Sequence, residues 1–156
     1  MPNISLDAID RRILNILQKD GRIANVDLAE QAGLSPSPCA RRVKQLEDAG
    51  IIARYAALIN QKTVGLPVNV FISVTLERQV EAALQHFEAE ILKRPEVMEC
   101  YLMTGEADYL RRVVVADLDA YERFIVDHLT RIPGIANIKS SFALKQISYR
   151  TELPIG

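Results

Sequence analysis

The sequence predicts an α+β protein in two parts, a set of three helices followed by a β-α-β-β-α-β run. Three observations carry this. Residues 28–50, LAEQAGLSPSPCARRVKQLEDAG, read as a helix, a tight turn and a second helix with a basic outer face. From Thr63 onward, runs of β-branched and aromatic residues alternate with helices of 3.6-residue periodicity. The chain's 156 residues suffice for two small domains. The expected boundaries are 1–52 for the helical domain, 53–64 for a connecting strand or linker, and 65–156 for the second domain.

The first helix lies in LDAIDRRILNILQKDGR, where Ile9, Ile13, Leu14, Ile16 and Leu17 form an apolar stripe and Asp7 is placed to cap it. Gly33 accepts the positive φ that a tight turn between helices needs. Ser35 is positioned to cap the next helix through its hydroxyl, and Pro36 suits its first position. Within that helix Cys39, Val43 and Leu46 recur at three- and four-residue intervals and form the buried stripe. After Gly50, IIARYAALI is expected to supply the strand of a wing. Three helices and a strand make a winged helix-turn-helix.

In the second part VNVFISVTLE reads as a strand. QVEAALQHFEAEILKRP is a helix stopped by Pro95. VMECYLMT and YLRRVVVA are strands joined by the polar turn GEAD. DLDAYERFIVDHLTRIPG is a helix capped by Asp117, and IANIKSSFALKQISY is a final strand. This order is the ferredoxin-like split pattern. It covers one sheet face with two helices and leaves the other face requiring cover, which favours pairing with a second copy.

Hydrophobic residues make up 49% and charged residues 25%, ordinary for a globular protein. No apolar run approaches the ~20 residues that span a bilayer, and the N-terminus lacks a signal-peptide pattern, so a cytoplasmic location is expected. Cys39 and Cys100 lack metal-ligand spacing and read as buried reduced thiols, with no metal or cofactor implied. His86 and His128 lie far apart on helices with no partner motif, so no catalytic group is assigned.

The net charge of −1 gives no strong field; residues 1–60 carry 8 Arg/Lys against 7 Asp/Glu. Local placement therefore decides. Charge on a helix face is more often simple solvation. Here a third helix before the pair and an apolar run after it turn the reading toward double-stranded DNA, with the second helix in the major groove. The candidate contacts are Ser35, Ser37, Pro38, Arg41, Arg42, Lys44 and Gln45. Arginines suit guanine or phosphate, and Gln45 suits adenine or phosphate. A weak mean field favours doubled binding surfaces, hence a dimer on a roughly palindromic operator. In the second domain, the turn Thr104-Gly105-Glu106-Ala107-Asp108-Tyr109 offers backbone N–H groups for a carboxylate and Asp108 for an ammonium. The same residues also satisfy ordinary hairpin geometry, and the turn alone leaves both readings open.

LDAIDRRILNILQKDGR, NVDLAEQAGLSPSPCARRVKQLEDAGII and the TGEADY turn with PGI after the last helix together resemble the Lrp/AsnC family of transcription regulators, over nearly the whole chain. The SPSPC stretch resembles the leucine-responsive branch. The resemblance implies a winged helix-turn-helix, a connecting strand near Arg54 to Ile59, and a ferredoxin-like (RAM) domain. It implies dimers that associate to octamers and bind amino acids between dimers. It places the effector site at Leu102, Thr104, Gly105, Glu106, Asp108 and Tyr109, with Ser141 added from the last strand. Apolar Leu102 and Tyr109 favour leucine or methionine as ligand. Family relatives that decarboxylate sirohaem would need converging histidines, and the chain has 2; an architectural DNA-compacting protein without effector is a further alternative. One departure stands out. Where the family continues its turn D-Y-L-L, this chain has Asp108-Tyr109-Leu110-Arg111-Arg112. Strand alternation sends the two arginines to opposite faces. An unpaired buried charge is costly, so Arg111 is expected to reach water, a carboxylate or a neighbouring subunit, altering dimer–dimer contact or effector response.

Overall fold

The computed structural model describes residues 5–156. The chain divides into two compact units, one of the described residues up to 58 together with 148–156, the other of residues 59–147.

In the first unit, α1 spans Ala8–Lys19, α2 Asn25–Ala32 and α3 Pro36–Asp48. Asp7 starts α1 through a reciprocal cap: its carboxylate accepts from the Asp10 N–H at 2.7 Å, and its own N–H donates to the Asp10 carboxylate at 3.2 Å. Gly33 ends α2 at φ 75°, where the Leu34 N–H returns to the Ala29 carbonyl at 2.8 Å. Ile13, Leu14, Leu28, Ala29, Ala32, Cys39 and Leu46 form the core.

Three sequence expectations are corrected here. The Ser35 hydroxyl makes no capping bond. A cap of this kind bonds the N2 or N3 amide, and the N3 residue, Pro38, has none. Residues 51–60 form no wing strand, since a strand needs a ladder partner and no described segment supplies one. Residues 148–156, expected in the second domain, join the first unit. The side-chain amide of Gln18 donates to the Leu153 carbonyl at 3.1 Å and accepts from its N–H at 2.5 Å. Arg11 and Asn15, on the same side of α1, bond the carbonyls of Ile155 and Gly156. Ile155 packs onto the core.

The second unit follows the predicted order: β1 Val68–Leu76, α4 Glu81–Ile91, β2 Val97–Leu102, β3 Tyr109–Val115, α5 Leu118–Phe124 and β4 Ile135–Phe142. Asp117 caps α5 by accepting from the Ala120 N–H at 2.7 Å. A single π-helical turn, Ile125–Leu129, extends α5 and buries Leu129. The strands form one antiparallel sheet in the order β2-β3-β1-β4. Alternate residues Val70, Ile72, Val74 and Leu76 of β1, with Tyr109, Val113 and Val115 of β3, meet Phe87 and Ile91 of α4 and Phe124 of α5. The opposite sheet face carries Phe71 and Tyr101, 40% and 53% exposed. Among the described residues no helix is long and apolar enough to cross a membrane.

Candidate functional site

On α3 the buried stripe of Cys39 and Leu46 turns the other side outward. Ser35, Ser37, Arg41, Lys44 and Gln45 are exposed, and Pro38 and Arg42 are half-buried. Arg42 differs from Arg41 in what it touches. Its guanidinium bonds Asp7 at 2.7 Å and Asp10 at 2.9 Å, tying α3 to the capped start of α1. Hydrogen bonds donated to the Asp7 and Asp10 carboxylates hold the Arg42 pKa above its usual value. The Asp10 backbone N–H and then Arg42 hold the Asp7 carboxyl below its usual range. Arg42 is therefore a strut that orients the helix. Lys44 pairs with Asp48 one turn away at 3.2 Å, a solvated contact of little energy. Arg41 and Gln45, one turn apart, stay presented outward.

The turn before β3 is built differently from the sequence expectation. Gly105 takes φ 113°, a conformation that L side chains rarely adopt. Leu102 is 61% exposed, and Thr104 and Glu106 lie on the surface. The Asp108 carboxylate is already engaged: its Oδ2 accepts from the Leu76 N–H at 2.7 Å and from the Gln79 amide at 3.2 Å. The Asp108 N–H donates to the Val74 carbonyl, and its carbonyl accepts from the Met103 N–H. Asp108 thus locks the turn onto the end of β1. Tyr109, expected at the effector site, is 1% exposed and packs against Phe87 of α4. Its hydroxyl donates to Glu88 at 2.6 Å, and its ring centroid lies 4.6 Å from that of Phe87. Burial and the Glu88 carboxylate push its pKa upward. Ser141 is not brought to the turn. It lies on β4, with β1 and β3 between it and β2, roughly 14 Å at ~4.8 Å per strand.

Sequence reasoning missed Gln79 and Glu88, which no local motif marks. It also missed an open cleft of about 390 Å³ lined by Thr130 and residues 132–138. The cleft adjoins the same end of the sheet, because Ile135 pairs with Leu76.

The two cations of β3 part as alternation requires. Arg112 faces the helix-free side and bonds Glu99 at 2.8 Å and Asn69 at 3.0 Å. Arg111 faces the helices and is 0% exposed. Of the three partners expected for it, this chain supplies no carboxylate: none of its three guanidinium nitrogens has a partner among the described residues. Its guanidinium carbon lies 5.2 Å from the centroid of the Phe87 ring, a favourable cation–π contact. Burial draws its pKa down to about 10, which still leaves it charged at neutral pH.

An exposed basic helix in a trihelical unit, joined to a βαββαβ unit bearing a glycine turn and a cleft, is the arrangement of a DNA-binding protein with a ligand-binding domain. Family models agree over both units: the winged helix-turn-helix DNA-binding model matches residues 6–53, and the Lrp/AsnC ligand binding domain model matches residues 69–153. The Bkd operon transcriptional regulator of Pseudomonas aeruginosa is 47% identical over 150 residues, 96% of this chain and 98% of the relative. The leucine-responsive regulatory protein of Salmonella typhimurium is 40% identical over 154 residues, 99% and 94% of the two chains. A Neisseria meningitidis transcriptional regulator solved in complex with L-methionine superposes with a TM-score of 0.92 at 45% identity, covering 96% of this chain and 97% of that one. This chain belongs to the Lrp/AsnC family of DNA-binding transcriptional regulators.

Proposed function

We propose that this chain is an amino-acid-responsive, sequence-specific regulator whose effector sits between dimers and alters assembly or DNA binding. The outward face of α3, with Arg41 and Gln45 one turn apart and Lys44 beside them, carries the DNA half of the reading. Two such helices in a dimer would enter successive major grooves about 34 Å apart on a roughly palindromic operator. Ser35, Ser37 and Pro38 lie at the helix start, where backbone phosphates are met. Arg42 acts by fixing the helix angle.

Dimerisation is supported by the helix-free sheet face, whose exposed Phe71 and Tyr101 need cover. The ligand would be held where the Leu102–Asp108 turn, Gln79 and the cleft of residues 130–138 share one end of the sheet. Asp108 serves there mainly as a lock on the turn, with its second oxygen left for an ammonium. The Neisseria relative's L-methionine makes methionine the preferred effector, with leucine next. A ligand acts by binding one assembly state more tightly than another, and association of dimers to octamers is the state it would bias.

The test is a mobility-shift titration of the chain's own upstream DNA, with and without L-methionine and L-leucine, paired with calorimetry. A retarded band whose midpoint moves with methionine supports the reading. Retardation unmoved by all twenty amino acids would leave an architectural protein, and no retardation at all would remove the regulator.

A further inference from the structure

The unpartnered guanidinium of Arg111 has a neighbour the regulator reading does not use. Cys100 on β2 is the register partner of Arg111 on β3. Side chains of directly opposed residues leave the sheet on the same face, with Cα atoms ~4.5–5.5 Å apart. Both belong to the helix-facing side, where Cys100 packs against the core. Their access differs. Arg111 is sealed between β1, β2 and α4, whereas Cys100 is half-buried on a strand at the sheet's edge. A small neutral oxidant can reach the thiol, and no anion already present in this unit meets the guanidinium.

We propose that Cys100 is a peroxide-responsive thiol whose sulfenate form is the counter-ion that Arg111 lacks. In the reaction with hydrogen peroxide, sulfur attacks one oxygen. The S–O bond forms as the O–O bond breaks, and the leaving hydroxide takes the thiol proton to depart as water. Sulfur is oxidised and the peroxide reduced, with no other reactant. A sulfenic acid is more acidic than its parent thiol, so beside a fixed cation it ionises and converts a lone buried charge into a pair.

Electrostatics set the tempo. Burial pushes the Cys100 thiol up, the Arg111 guanidinium pulls it back, and Glu88 adds to the upward push. The thiol therefore reacts slowly and answers sustained oxidant rather than traces. Cys39 is an internal control: fully buried in the other unit, it is raised by burial alone. Because β2 runs directly into the Met103–Asp108 turn, a new ion pair at Cys100 would stiffen the strand leading to the ligand site. That last link rests on the regulator reading; the oxidation itself does not.

The experiment treats the purified full chain with excess hydrogen peroxide in the presence of dimedone, followed by peptide mass spectrometry. The expected result is an adduct at Cys100 that accumulates severalfold faster in the native chain than in Arg111→Leu or Arg111→Met, with Cys39 unlabelled. In a parallel sample without dimedone, gain of one oxygen raises the thermal midpoint of the native chain and does not raise that of Arg111→Leu. Equal labelling in native and variant chains, labelling chiefly at Cys39, no labelling, or a midpoint that does not rise in the native chain would overturn the proposal. Loss of DNA response with labelling intact would instead count only against the regulator reading.

Discussion

Two Arg-Arg dipeptides, 41–42 in the first unit and 111–112 in the second, meet opposite fates because their backbones differ. On a helix, consecutive side chains diverge by about 100°. Arg41 can therefore face outward while Arg42 swings to the Asp7–Asp10 cap and is neutralised there. On a strand they diverge by about 180°. One of the pair must then enter whichever face is covered, and Arg111 does so with no carboxylate waiting. Arg112, on the other face, finds Glu99 and Asn69. A helix lets adjacent like charges share one solvated side; a covered strand forces one of them inside. The first pair costs the fold little, and the second places a charge inside an apolar core.

The largest expected effect follows at Arg111. Arg111→Leu removes an uncompensated buried charge and should raise unfolding free energy by about 3 kcal/mol in urea denaturation. A loss of stability would mean the guanidinium has a partner in solution. The gap should also depend on pH. Burial puts the folded-state pKa of Arg111 at about 10, well below that of the free group. The folded state thus releases its proton first, and the native chain gains stability as pH climbs through about 10. Arg111→Leu has no such group, so the difference between the two should shrink as pH rises above about 10. A constant gap would contradict the assignment. The smallest effect belongs to the other pair. Asp7→Ala and Arg42→Ala should each lower the melting temperature modestly, and the double variant by less than their sum, since they share one contact. The Asp7 carboxyl is depressed below 3.8, so its contribution is present at neutral pH and fades as pH falls through that region.

Much of this was legible from residue order. Asp7, Gly33 and Asp117 mark helix ends by chemistry that acts within four residues, and all three do what their positions imply. The βαββαβ order was readable because period-2 and period-3.6 stretches alternate cleanly. What escaped depends on distant partners. Arg42 finds its carboxylates on a helix more than thirty residues earlier, and Gln18 clasps a segment from the far end of the chain. Alternation put Tyr109 and Arg111 on one face of β3 but could not say which face the helices cover. Both sets of neighbours are apolar: Leu110 and Val114 on one side, Val113 and Val115 on the other. That single ambiguity hid the burial of Tyr109 in the core. The wing strand failed for another reason: IIARYAALI has strand composition, but among the described residues it finds no ladder to join.

The contrast within residues 41–42 bears most directly on how this regulator reads DNA. Fluorescence anisotropy of a labelled operator fragment, at one fixed salt concentration and well below the melting temperature, should rank the two arginines. Arg41→Ala is expected to weaken specific binding by about 1–3 kcal/mol, and Arg42→Ala by clearly less. Unchanged affinity in Arg41→Ala, or a larger loss in Arg42→Ala than in Arg41→Ala, would contradict the outward, groove-entering role assigned to this face of α3.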